Sequence, residues 1–227
     1  IGKDTATYNI SFVQFKMDDN GVFIPVSEDD TTLRFANKNL RFFPRTVTLA
    51  PNEAQTVKVQ LIKSNELSEG EYRSHLFFKN VLTTTALGEE KPASRDSGIS
   101  VSLKPVFGIS IATIIRVGAT RVEGSLSDVR FSNGTVAAEP MVNFTVNRKG
   151  NISLYGDIQV NYVSTDNITT QVGVMTGLAV YTPNACRNVQ LPLKKTPTTD
   201  YNQGKLILTY TDPAVKNQVI ARSEINL

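Results

Sequence analysis

Apolar and polar residues alternate with period two along most of this chain. In the stretch TATYNISFVQF, Tyr8, Ile10 and Phe12 fall on one face, because side chains alternate across an extended strand. RTVTLAPNEAQTVKVQLI predicts two short strands, one on Val47 and Leu49 and one on Val57, Val59 and Leu61. Between them Pro51 and Asn52 supply turn chemistry,. EYRSHLFFKNV, SGISVSLKP and VFGISIATIIRV continue the pattern, followed by VNFTV, DIQVNYV, GLAVYT, VQLPL, KLILTY and VIARSEINL. Helical periodicity is nearly absent; SNELSEGEYR has room for a single turn,. The expectation is an all-β chain, with turn residues punctuating its strands at the spacing of sandwiches.

A polar, Gly-containing break, GATRVEGSLSD, follows the strand that ends at Val117. It predicts a boundary near Val117–Thr120, with one domain over 1–117 and a second over 118–227. The 227 residues suit two domains of roughly 100 residues each,. The long polar segment Thr83–Gly98 has no apolar period and reads as a mobile loop,.

Composition removes several classes. No apolar run approaches the ~18 residues that span a bilayer, so no membrane insertion is expected. The net charge of +3 is small, and the Lys and Arg residues are scattered rather than striped. That argues against nucleic acid as a partner. The single cysteine, Cys186, permits no internal disulfide,.

Catalytic chemistry lacks a constellation. The one histidine, His75, lies inside an apolar strand, and Cys186 lies in the polar segment TPNACRN. Neither has a local signature of a nucleophile–base pair. One His and one distant Cys lack metal-ligand spacing. The pairs Asp18-Asp19 and Asp29-Asp30 fall in turn-like segments without a calcium loop's alternating oxygen ligands,. The glycines of RKGNISLYGD suit turns better than a phosphate cradle,. Asn-x-Ser/Thr triplets begin at Asn9, Asn133, Asn143, Asn151 and Asn167, and such triplets arise by chance in an Asn- and Thr-rich β protein. The expectation is no enzyme, no catalytic residue, no metal and no cofactor.

The informative segment is VSLKPVFGISIATIIRVG. It presents Phe107, Ile109 and Ile111 on one face, with Gly108, Ser110 and Ala112 opposite,. Thr113 and Ile115 continue the apolar parity. At a sheet edge, such a strand offers its backbone to an incoming strand and its side chains to a foreign core. An ordinary core strand would show the same pattern.

RFFPRTVTLAPNEAQTVKVQL, EYRSHLFF and TATYNISFVQF, followed by ISVSLKPVFGISIATIIRVG, resemble the first domain of PapD-like periplasmic chaperones of pilus and fimbrial assembly. NRKGNISLYGDIQV and GLAVYTPNACRNVQLPL are similar to second-domain segments of a divergent branch. The resemblance implies two immunoglobulin-like β-sandwich domains in a boomerang arrangement. It implies a periplasmic chaperone that caps pilin or fimbrial subunits by donor-strand complementation, with an outer-membrane usher as a further partner. Phe107, Ile109, Ile111, Thr113 and Ile115 would bind the subunit. A basic residue would anchor the subunit's C-terminal carboxylate. The family's lysine position falls near Ala112 or Thr113, which leaves Lys104 or Arg116 as the candidate anchor or hinge residue. The family's first strand would precede Ile1. The competing expectation is a structural or adhesive surface protein built of immunoglobulin-like domains. An accessible strand over Phe107–Ile115 separates the two.

Overall fold

The computed structural model describes residues 4–81, 106–134 and 139–227. Its strands, in chain order, are β1 (Ala6–Val13), β2 (Phe15–Met17), β3 (Phe23–Pro25), β4 (Leu40–Phe43), β5 (Thr46–Leu49), β6 (Lys58–Leu61), β7 (Gly70–Val81) and β8 (Gly108–Val117). They continue with β9 (Val122–Ser132), β10 (Met141–Gly150), β11 (Leu154–Val163), β12 (Thr169–Val180), β13 (Cys186–Pro192), β14 (Lys205–Asp212) and β15 (Gln218–Asn226). Among the described residues the only helical elements are two 3₁₀ turns, Asn37–Asn39 and Ser64–Glu66. The chain is all-β. The segments expected as strands by alternation contain strands, apart from SGISVSLKP, which lies outside the described residues. The turn on Pro51 and Asn52 forms with Asn52 at φ 64° and the Glu53 amide donating to the Ala50 carbonyl at 3.0 Å.

The described residues divide into two compact units. One draws on Ile1–Gln14, Phe35–Glu66 and Arg73–Ile114; the other on Phe15–Arg34, Leu67–Tyr72 and Ile115–Leu227. The second unit therefore takes up two short stretches, 15–34 and 67–72, that lie far upstream of its main body in sequence.

The first unit contains a sheet ordered β5–β1–β7–β8 and a two-stranded ribbon, β4–β6. Tyr8 stands opposite both Val47 on β5 and Asn80 on β7, which sets β1 between them in antiparallel register. Its core is small: Ile10, Phe42, Val47 and Leu76 are buried, with Tyr8, Phe12, Val57 and Phe78 packed around them. Phe12 meets Phe42 edge-on at 5.1 Å, a favourable aromatic geometry. Ser74, 1% exposed, accepts hydrogen bonds from the Ala36 and Asn37 amides at 3.0 Å each, satisfying the entry to the first 3₁₀ turn,.

The second unit is built on two sheets, β13–β10–β9 and β12–β11–β14–β15. Every second residue of three strands points into one core: Val142, Phe144 and Val146; Ile158, Val160 and Tyr162; Leu206, Leu208 and Tyr210. None of these nine is more than 2% exposed. The buried phenols find acceptors, Tyr210 Oη donating to the Leu178 carbonyl at 2.7 Å and Tyr201 Oη to that of Lys194 at 2.6 Å. Burial pushes the Tyr201 hydroxyl up to about 12. The hairpin β2–β3 belongs to this unit. Asn184 Nδ2 donates to the Met17 carbonyl at 2.8 Å, the Asn188 amide donates to that of Asp19 at 2.6 Å, and the Phe23 ring lies 5.8 Å from Tyr181.

Candidate functional site: the exposed edge of β8

β8 is the terminal strand of its sheet among the described residues. The Asn80 amide donates to the Phe107 carbonyl at 2.9 Å, extending its attachment to β7 by one residue. Gly108 permits this approach. A Cβ there would sit 2.4 Å from the Phe77 ring, so the strand lies flat against that side chain. By the alternation of a strand, Phe107, Ile109 and Ile111 then point to the opposite face.

That face is in solvent. Phe107 is 73% exposed, Ile109 66% and Ile111 53%. Val106 and Ile114, not singled out from the sequence, are also exposed. Both belong to the same uncharged run, which is the signal that would have included them. From Val106 to Ile115 there is no Asp, Glu, Lys or Arg. Natural edge strands are ordinarily guarded by a charge, a proline or a bulge, and an apolar patch left open marks an interaction surface.

The lower end of the expected run differs. Thr113 is half-buried. Ile115 is 8% exposed and is counted with the second unit. Alternation fixes its parity but not its burial.

The two candidate anchors fare unequally. Lys104 lies outside the described residues, as does the expected Thr83–Gly98 loop. Arg116 already has a carboxylate. Its Nε donates to Glu71 Oε2 at 3.1 Å, and the Glu71 side chain is fully buried. The Ser153 amide donates to the same oxygen at 3.1 Å, and Ser153 Oγ donates to Oε1. Arg148, close enough to feel the Glu71 charge, donates to the carbonyls of Asn184 at 2.7 Å and Gly150 at 2.8 Å. Burial weakens its hold on its proton, while Glu71 acts in the opposite sense. A foreign carboxylate at Arg116 would have to compete with Glu71. Arg116 also borders a cleft of about 750 Å³ in the second unit, with Glu123, Tyr155 and Asp212 among its walls.

His75 is 6% exposed on β7, and Cys186 is half-buried at the start of β13. Burial, with a smaller contribution from the Arg73 charge, pushes the imidazole down to about 4, so it is neutral at pH 7,. Among the described residues no group of three or more His, Cys, Asp or Glu side chains is arranged to hold a metal ion. No helix among them is long and apolar enough to cross a membrane.

No family model matches the chain, and no curated protein does. Among solved structures, a β-glucosidase from Streptomyces venezuelae in complex with D-glucose matches at a TM-score of 0.33 and 13% identity, covering 49% of this chain and 16% of that one. At that score the likeness carries no argument about fold or activity.

Proposed function

We propose that the chain is a periplasmic chaperone that binds and caps pilin or fimbrial subunits by lending them β8. The observation that carries the reading is the exposed edge strand, uncharged from Val106 to Ile115, with Phe107, Ile109 and Ile111 on one face. An incomplete sandwich that lacks a strand needs two things: backbone groups to complete its ladder and alternating apolar side chains to complete its core. An open strand supplies both. The resemblance of EYRSHLFF and VFGISIATIIRV to PapD-like chaperones suggests the client class, the usher as second partner and the periplasmic location. In this reading two immunoglobulin-like domains divide near residues 117 and 118. The protein acts by binding, without cofactor or catalytic residue.

The test is the double variant Ile109→Asp with Ile111→Asp. Each fully buried aliphatic side chain is worth about 1.5–3 kcal/mol. Losing two at the client interface weakens capture by tens- to thousands-fold. Copurification of the bound subunit from periplasm, with mass spectrometry, reads the loss. The thermal midpoint of the chaperone should stay nearly unchanged. If the double variant instead unfolds, β8 belongs to the protein's own core, since unpaired buried charges are costly. The structural or adhesive module then becomes the better account.

A further inference from the structure

A second open edge lies in the first unit, on β6 of the β4–β6 ribbon. The antiparallel register pairs Leu40 with Leu61 and Phe42 with Val59 on one face, and Arg41 with Gln60 and Phe43 with Lys58 on the other. Leu40 and Phe42 are buried, yet their cross-strand partners Val59 and Leu61 are 43% and 46% exposed. The inward face of β6 is thus left uncovered. Phe43, on the outward face, is 74% exposed.

The backbone has the same asymmetry. The Ile62 amide donates to the Asn39 carbonyl at 2.8 Å, across the ribbon. Backbone groups of successive strand residues alternate in direction. Gln60 and Lys58 therefore aim theirs at β4 as Ile62 does, while Val59 and Leu61 aim theirs away. No strand of the described residues pairs on that side.

Charge selects the partner. Lys38, Arg41, Arg45 and Lys58 lie on or beside the ribbon. Arg45 stacks over the Phe42 ring at 5.0 Å, at the same end of the ribbon. Over residues 37–63 there is one carboxylate, Glu53, and it accepts a hydrogen bond from the Ala50 amide at 2.8 Å.

We infer that β6 is a strand-acceptor edge for an extended partner segment in which apolar residues alternate with acidic ones. The apolar residues would cover Val59 and Leu61 beside the small core. The acidic ones would face Arg41 and Lys58. Backbone groups at Val59 and Leu61 require a polypeptide, because lipid headgroups present no matching ladder of donors and acceptors. The edge is separate from β8, so it stands whether or not β8 is lent to a client.

The probe is a labelled hexapeptide of alternating valine and glutamate, with its valine–lysine counterpart and anionic vesicles alongside, read by fluorescence anisotropy and cosedimentation with the full chain. The acidic peptide should bind, and the basic one at least tenfold more weakly. Val59→Pro removes a donor from the open side while sparing the β4 ladder, a position where proline is tolerated; it should abolish capture. Lys58→Glu, at an exposed position, should weaken the acidic peptide and favour the basic one. Ile109→Asp with Ile111→Asp should leave this binding unchanged, which separates a failure here from one at β8. Lack of measurable binding by the acidic peptide, equal binding of both peptides, capture undiminished in both ribbon variants, or binding to vesicles alone would overturn the inference.

Discussion

The two units differ in the depth of their cores. The second unit buries alternate residues of β10, β11 and β14 almost completely, and its three buried tyrosines each satisfy their hydroxyls on backbone carbonyls. The first unit holds four buried apolar side chains in its cluster and leaves apolar residues in solvent on β6 and β8. Apolar burial is the main favourable term in folding, so a unit that withholds it lowers its own stability. The second unit leaves apolar residues exposed as well, among them Val22, Val174 and Val219, so the difference between the units lies in the size of their cores.

The largest effect should come from deepening the contrast in the cores. Leu208 is 0% exposed in the second unit, and Leu76 is 6% exposed in the first. Leu→Ala at a filled core site costs about 2–5 kcal/mol, more where the surroundings cannot collapse. Leu208→Ala should fall at the upper end and Leu76→Ala at the lower. Urea unfolding of both variants measures it. Equal costs would remove the claim that the first core is the looser one.

Next in size is a pH effect confined to the first unit. The ordinary imidazole value is 6.5, and burial in β7 pushes His75 down to about 4. The unfolded chain therefore binds the proton more readily than the folded one. Stability is fully present above about pH 6.5 and is lost as pH falls toward 4, by roughly 3 kcal/mol in all. His75→Asn should flatten that part of the curve, as read by thermal midpoints between pH 7.5 and 4.5. The second unit should show no such slope from a histidine, since His75 is the only one in the chain.

Within the second unit, Glu71→Gln tests the buried carboxylate. An amide has one acceptor oxygen where the carboxylate has two. One of the donors from Arg116 and Ser153 would then meet an NH₂ group. A loss of about 1–3 kcal/mol is expected, measured by chemical denaturation. No change would mean that water replaces the missing acceptor and that the buried pair contributes little.

The strands of both units were legible because Tyr8, Ile10 and Phe12, or Leu206, Leu208 and Tyr210, carry their period on the chain itself. The membership of the units was not. FKMDDNGVFIP reads locally as a polar turn with short apolar flanks, and its place in the second unit depends on Asn184 and Asn188, far along the chain. The same holds for Glu71, whose acceptor role rests on Ser153, 82 residues away. Local pattern cannot carry such pairings. On β8 alternation identified the face of Phe107, Ile109 and Ile111 but not that this face is exposed. Ile115 has the same parity and the opposite environment. Val57, Val59 and Leu61 read as a strand, and β6 forms over Lys58–Leu61, but nothing in that pattern distinguishes a covered edge from an open one.

The smallest expected change in stability is the sharpest test of what β8 is for. Ile109 is 66% exposed, and substitutions at such sites usually fall within about 0.5 kcal/mol. Ile109→Lys should leave the unfolding midpoint in place. It also installs the inward or edge charge that natural edge strands use against self-pairing. The purified variant should therefore aggregate more slowly than the parent when both are concentrated, as followed by light scattering. Two results would separate the units' roles differently. A lowered midpoint would mean that Ile109 contributes to the first unit's own core. An unchanged aggregation rate would move the sticky surface elsewhere, and β6, with Val59 and Leu61 exposed, would be the place to put the next lysine.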